Sequence, residues 1–187
     1  MNTTLVYLHG LASAGAASAK AQALMQMFPK QRVLSPDLPD KPADAIAFLN
    51  DWLASLTGSV ALIGSSLGGY YAWHYGARFN WPVVMINPAV DSQRLPSLLG
   101  EHKNFYTGNV FTIDEADLCA LQAIQTTPEA CNNPLLLLDY EDEVLDAAHT
   151  LKTWQGHATI LLFPAGNHRF AHMNESAPVL RQHLGLS

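Results

Sequence analysis

Five consecutive residues, Gly64-Ser65-Ser66-Leu67-Gly68, set a serine at the centre of a G-x-S-x-G pattern. A serine hydroxyl is a weak nucleophile at neutral pH; it becomes reactive when a base takes its proton and an acid orients that base. The pattern does this where a strand turns sharply into a helix, so that the serine oxygen projects from the sheet. The apolar run Val60–Gly64 leads into it, and a helical stretch over Leu67–Arg78 leaves it. Gly64 and Gly68 let neighbouring backbone pass the strained turn without a Cβ clash. Ser65 is the competing hydroxyl, but the spacing centres Ser66.

With this pattern the acid and then the histidine follow the serine along the chain. The last apolar run, Thr159–Phe163, ends in Pro164-Ala165-Gly166-Asn167-His168, a loop at a strand's carboxyl end, so His168 is the expected base. His172 lies four residues on, the spacing of two metal ligands on a helix. No carboxylate motif accompanies it, so the expectation is a solvated helix residue and no metal. His9, before Gly10, is expected to shape the loop after the first strand. His74, among Tyr70, Tyr71, Trp73 and Tyr75, is expected to pack, and His102, His149, His157 and His183 to lie on the surface.

The acid is less sharply marked. Leu135–Leu138 runs into Asp139-Tyr140-Glu141-Asp142-Glu143. Asp142 stands in the loop beyond the strand and is favoured. Asp139 could still belong to the last ladder step, and Asp146 would sit a turn into the next helix. Asp91 follows another strand; with Asp139 and Glu141 it remains an alternative. Carboxylates not used this way read as solvated charges or as helix N-terminal residues favoured by the dipole. The oxyanion of an acyl transfer needs two N–H donors. One is expected from Leu67, the residue after the nucleophile, and the other from His9-Gly10-Leu11-Ala12, with Leu11 the choice.

These residues need a frame. Short apolar runs at Leu5–Leu8, Arg32–Ser35, Val60–Gly64, Val83–Asn87, Leu135–Asp139 and Thr159–Phe163 alternate with helical stretches. The helices are expected at Ala14–Phe28, Pro42–Leu56, Leu67–Arg78, Glu143–Trp154 and Ala171–Leu184, with Pro178 kinking the last or marking a later start. Alternation of this kind reads as an α/β chain with a mostly or wholly parallel sheet of about six strands between helix layers. Asp91–Asn133 is too long for an ordinary crossover and carries its own helical pattern near Asp114–Gln125. It is expected to form a small lid or substrate wall inside a single domain of residues 1–187.

Composition narrows the partners. Hydrophobic residues make up 49% of the 187 and charged residues 14%, which suits a full core and excludes a disordered chain. A net charge of −6 with only 10 Lys and Arg argues against nucleic acid and anionic membranes. No apolar stretch reaches the roughly 18 residues of a membrane span, and Met1–Thr4 shows no basic signal-peptide region. Cys119 and Cys131 are the only cysteines and read as reduced thiols, so a cytoplasmic location is expected.

Several runs together resemble the YqiA-type bacterial esterases of the α/β-hydrolase superfamily. They are His9-Gly10, Gly64-Ser65-Ser66-Leu67-Gly68-Gly69-Tyr70-Tyr71-Ala72, Asn87-Pro88-Ala89-Val90, Tyr106-Thr107-Gly108, Asp142-Glu143-Val144-Leu145-Asp146 and Gly166-Asn167-His168. The resemblance spans essentially the whole chain. It implies a compact α/β-hydrolase fold, hydrolysis of short acyl esters and of acyl-CoA thioesters, an acid at Asp142 and a base at His168. The family usually has Gly before that acid, where this chain has Glu141, so the acid loop is expected to turn differently. The leading expectation is a serine esterase using Ser66, His168 and Asp142 with no cofactor. A thioesterase would want cations near the mouth, for which Arg94, Lys103 and Arg169 are candidates. A non-enzymatic binding or scaffold protein is the third reading.

Overall fold

The computed structural model describes residues 3–186; Met1, Asn2 and Ser187, the ends of the expected domain, lie outside the described residues. The apolar runs become strands β1 (Thr4–Leu8), β2 (Val33–Leu34), β3 (Val60–Ser66), β4 (Val83–Pro88), β7 (Leu135–Asp139) and β8 (Thr159–Phe163). They form one wholly parallel sheet in the order β2-β1-β3-β4-β7-β8. A strand points alternate side chains to opposite faces, and the core divides accordingly. Leu5, Tyr7, Ala61, Ile63, Val84, Ile86, Leu135 and Leu137 face helices α1 (Ala19–Met27) and α6 (Ala177–His183). Val6, Leu8, Leu62, Met85, Leu136 and Leu138 face the other side. There α2 (Pro42–Ala54), α3 (Leu67–Phe79), α4 (Glu115–Ala123) and α5 (Ala147–Trp154) cover them. Continuous burial on both faces explains why these strands read as unbroken apolar runs.

Three helices start later than their apolar pattern suggests, each for a local reason. Ser18 accepts the Ala21 N–H as the cap of α1, and Gly15 N–H is taken by Asp37 Oδ1 at 2.7 Å, so Ala14–Ala17 is loop. Asp146 caps α5 by accepting the His149 N–H at 2.9 Å, which leaves Glu143–Leu145 outside the helix. Pro178 lies in the first turn of α6, where a missing N–H costs nothing.

The long excursion holds a 3-10 helix (Ser92–Leu98), an antiparallel hairpin of β5 (Gly100–Lys103) and β6 (Val110–Ile113), and α4, which packs on α2. The hairpin is anchored by Asn104. Its amide donates to Ser13 O at 3.0 Å and Asp40 Oδ1 at 2.7 Å, while its Oδ1 accepts from the Tyr106 and Thr107 N–H groups. Phe105 N–H meets Ala12 O at 3.0 Å, so the hairpin turn and the loop after β1 are one connected unit. Among the described residues no helix is long and apolar enough to cross a membrane. Cys119 is exposed and Cys131 buried, and both are free thiols.

Candidate active site

Ser66 ends β3 and is the residue from which α3 departs. Its φ of 52° and ψ of −124° lie outside the ordinary wells for an L-residue, the conformation a strand-to-helix turn needs to lift a side chain off the sheet. The turn is held from both sides. A Cβ on Gly68 would overlap the carbonyls of Leu8 and His9, and one on Gly64 would overlap the backbone of Gly68. β1, β3 and α3 therefore touch backbone to backbone here. Ala89 N–H binds Ser66 O at 3.0 Å from the neighbouring strand end. Ser65 is directed elsewhere: it is buried and its Oγ lies 2.8 Å from the Tyr7 hydroxyl.

His168 reaches this turn from the loop after β8, with Nε2 at 3.0 Å from Ser66 Oγ. Its Nδ1 lies 2.8 Å and 3.1 Å from the two oxygens of Asp142. A carboxylate only accepts, so Nδ1 carries the proton and Nε2 is free to accept from the serine hydroxyl. Burial pushes the Asp142 carboxyl up, but the His168 contact and the N–H groups of Leu145 and Val144 outweigh it. The group is held below the usual carboxylate range, charged and facing the ring. Glu143 accepts the His168 backbone N–H at 2.9 Å, and that bond holds its carboxyl low too.

The other candidate acids are placed away from the ring. Glu141 is exposed and has no positive φ, so the acid loop turns without the conformation glycine would allow. Asp91 caps the 3-10 helix by accepting the Gln93 N–H and lies 3.8 Å from His149 Nε2. Asp139 is fully buried and binds His172, whose Nδ1 is 2.7 Å from Asp139 Oδ1. His172 is thus not the solvated helix residue expected: it precedes α6, and its ring stacks on Phe163 at 4.2 Å and 1°. His102 also departs from the surface assignment, since it lines the cavity beside Ser66. Among the described residues no group of three His, Cys, Asp or Glu side chains is arranged to hold a metal ion.

The loop after β1 closes over the serine. A Cβ on Gly10 would stand 3.0 Å from Ser66 Cβ, an approach only glycine permits comfortably. His9 fixes the loop from behind: its Nε2 accepts the Leu38 N–H at 2.9 Å and its Nδ1 donates to Gly10 O at 2.8 Å. Those partners demand the neutral ring, and burial lowers its pKa in the same direction. Leu67 is the first residue of α3, where a backbone N–H has no partner within the helix. Leu11, Leu67, Ser66 and His168 line a cavity of about 540 Å³ that Leu95, Leu98 and Val144 also line. Arg94 is part of that lining and binds Val144 O at 3.2 Å, tying the 3-10 helix to the acid loop.

Solved structures share this frame at low identity. Est1E from Butyrivibrio proteoclasticus has a TM-score of 0.69 at 12% identity, over 97% of this chain and 86% of its own. The esterase domain of a Rhodothermus marinus protein reaches 0.70 at 18%, over 98% and 85%. The Paleococcus ferrophilus monoacylglycerol lipase reaches 0.72 at 14%, over 97% and 93%. With the six-stranded parallel sheet, these likenesses establish the α/β-hydrolase fold. The model of the Uncharacterised protein family (UPF0227) matches residues 4–183, so the chain belongs to that family, the YqiA family its motifs resemble.

Proposed function

We propose that this protein is a serine hydrolase that cleaves short acyl esters through an acyl-enzyme. The observation that carries the reading is the unbroken hydrogen-bonded series Asp142–His168–Ser66 opening on the 540 Å³ cavity. His168 Nε2 takes the hydroxyl proton as Ser66 Oγ attacks the ester carbonyl, and Asp142 stabilises the imidazolium. The negative charge on the carbonyl oxygen is met by the N–H groups of Leu67 and Leu11. Collapse expels the alcohol, which receives the proton from His168. Water then attacks the acyl-enzyme with His168 as base, releasing the acid and restoring Ser66. Residues 91–133 act as the substrate wall of a single domain, with Leu95 and Leu98 facing the acyl group.

The purified protein is expected to release nitrophenol from a short-chain acyl ester, and Ser66→Ala to abolish the release. Wild-type turnover by that variant would reject the assignment. A fluorophosphonate probe that leaves Ser66 unlabelled would favour the binding or scaffold reading.

Thioester hydrolysis is supported by one feature, the Arg94 guanidinium on the cavity wall, a cation that an anionic leaving group could use. Asp91 and Asp146 line the same cavity and oppose a polyanion, so the oxygen ester is the better fit. Turnover of matched oxygen esters and CoA thioesters separates the two.

A further inference from the structure

The loop that carries His168 hangs on a second acid–histidine pair that the chemistry above does not use. Asp139 ends β7, has no solvent exposure and fills both carboxylate oxygens from one six-residue stretch, Asn167 to His172. Its Oδ2 accepts from the N–H groups of Asn167 at 3.1 Å and Ala171 at 3.0 Å, and its Oδ1 accepts from the His172 Nδ1–H at 2.7 Å. His168 lies between the two clamped amides. The carboxylate sits so close beneath the loop that a Cβ on Gly166 would overlap it, and Gly166 also has a φ of 120°. Asn87 completes the clamp from β4: its Oδ1 accepts the Asp139 N–H at 2.8 Å and its amide donates to Asn167 O at 3.0 Å.

His172 does more than fill space in this arrangement. A buried carboxylate needs its hydrogen bonds supplied by protein, and the imidazole supplies the shortest of the three. The ring is in turn held flat against Phe163, the last residue of β8, so the donor has one orientation. Resting on the proposed esterase reading, we propose that Asp139 and His172 are positioning residues that set His168 at hydrogen-bonding distance from Ser66 and Asp142. They touch no substrate. They fix the loop backbone, and the loop backbone fixes the reacting ring.

The test compares His172→Leu, which can rest on Phe163 but donates nothing, with His172→Asn, whose amide N–H can stand near the Nδ1 position. In His172→Leu the kcat per Ser66 titrated with fluorophosphonate is expected to fall about 10²-fold, the cost of a misplacement near 1 Å. KM should stay within about threefold, since the acyl cavity is untouched. His172→Asn should recover most of the loss. The downfield proton resonance of the His168 Nδ1–H, assigned by its absence in Asp142→Asn, should broaden in His172→Leu and return in His172→Asn. If His172→Leu does not fold, His172→Gln, whose longer amide misplaces the donor, takes its place. A lower folded fraction with unchanged kcat per titrated serine and an unchanged resonance would assign the pair to stability alone and overturn the proposal. The resonance decides even if no ester is turned over, and the esterase reading itself fails separately if wild-type Ser66 neither turns over esters nor labels.

Discussion

Asp142 meets His168 Nδ1 through both carboxylate oxygens, at 2.8 Å and 3.1 Å, and the farther oxygen also takes the N–H groups of Val144 and Leu145 at 2.8 Å each. The acid is thus locked to its own loop before it touches the ring. A locked acceptor fixes both the tautomer of His168 and the plane of its ring, which is what the proposed chemistry asks of its acid.

Asp142→Asn should therefore keep the fold and lose the rate. An amide at this position can turn its NH2 toward Nδ1, which favours the tautomer that cannot accept from Ser66. A fall of about 10⁴-fold in kcat is expected, read with a short-chain nitrophenyl ester. Asp139→Asn should cost less, because its carboxylate never reaches His168. Equal losses in the two variants would mean that the acid has been misassigned.

The same lock has a signature in acid. The Asp142 carboxyl lies below its ordinary value in the folded protein, so the folded state binds fewer protons there than the unfolded chain. Its stabilising contribution is complete above the ordinary carboxylate range and is lost as pH falls through the lower folded value. The difference in melting temperature between wild type and Asp142→Asn should shrink steadily as pH falls below about 4. A difference that does not change with pH would show that the bonds to His168, Val144 and Leu145 do not favour the charged form.

How far the sequence discloses such a site depends on whether each part is local. Ser66 is legible because its turn, its glycines and both flanking elements lie within a few residues. His168 is legible because the last apolar run ends just before it. The proposed acid is only half legible: Asp139 and Asp142 sit three residues apart, and which one meets His168 depends on where β7 stops and the loop folds back. His172 is misread because its hydrogen-bond partner Asp139 lies 33 residues away and the ring it stacks on, Phe163, belongs to a different strand. The β5–β6 hairpin escapes notice for another reason. Gly-Glu-His-Lys has no apolar alternation, and the strand exists through pairing with Val110–Ile113.

Lys20 offers a prediction at the opposite end of the pH scale. It belongs to α1, and burial, with Arg169 adding repulsion, lowers its pKa from 10.5 to about 8. Below that value both states carry the charge and the folded protein bears the full penalty. Between about 8 and 10.5 the unfolded chain binds the extra proton, so folding becomes more favourable as pH rises. Lys20→Met should therefore be more stable than wild type at pH 7, with an advantage that narrows as pH approaches 10.5. Thermal melts of the two proteins across this range provide the measurement, and a constant gap would place the amine in solvent.

The cavity wall makes the proposed substrate choice testable without touching the reacting groups. Leu98, in the 3-10 helix, is partly buried against the main core and lines the space beside Ser66. If the acyl group lies there, Leu98→Trp removes room in the cavity and leaves Ser66, His168 and Asp142 in place. Each methylene that no longer fits forfeits about 1–3 kcal/mol of transition-state binding, which is about 10-fold or more in kcat/KM. Short esters should then be cleaved at close to the wild-type rate, while the profile over a graded acyl series falls off earlier. Leu98→Ala should extend it toward longer chains. Profiles that coincide for all three proteins would mean that the acyl chain leaves the serine by another route, and that the segment from Asp91 to Asn133 does not set substrate length.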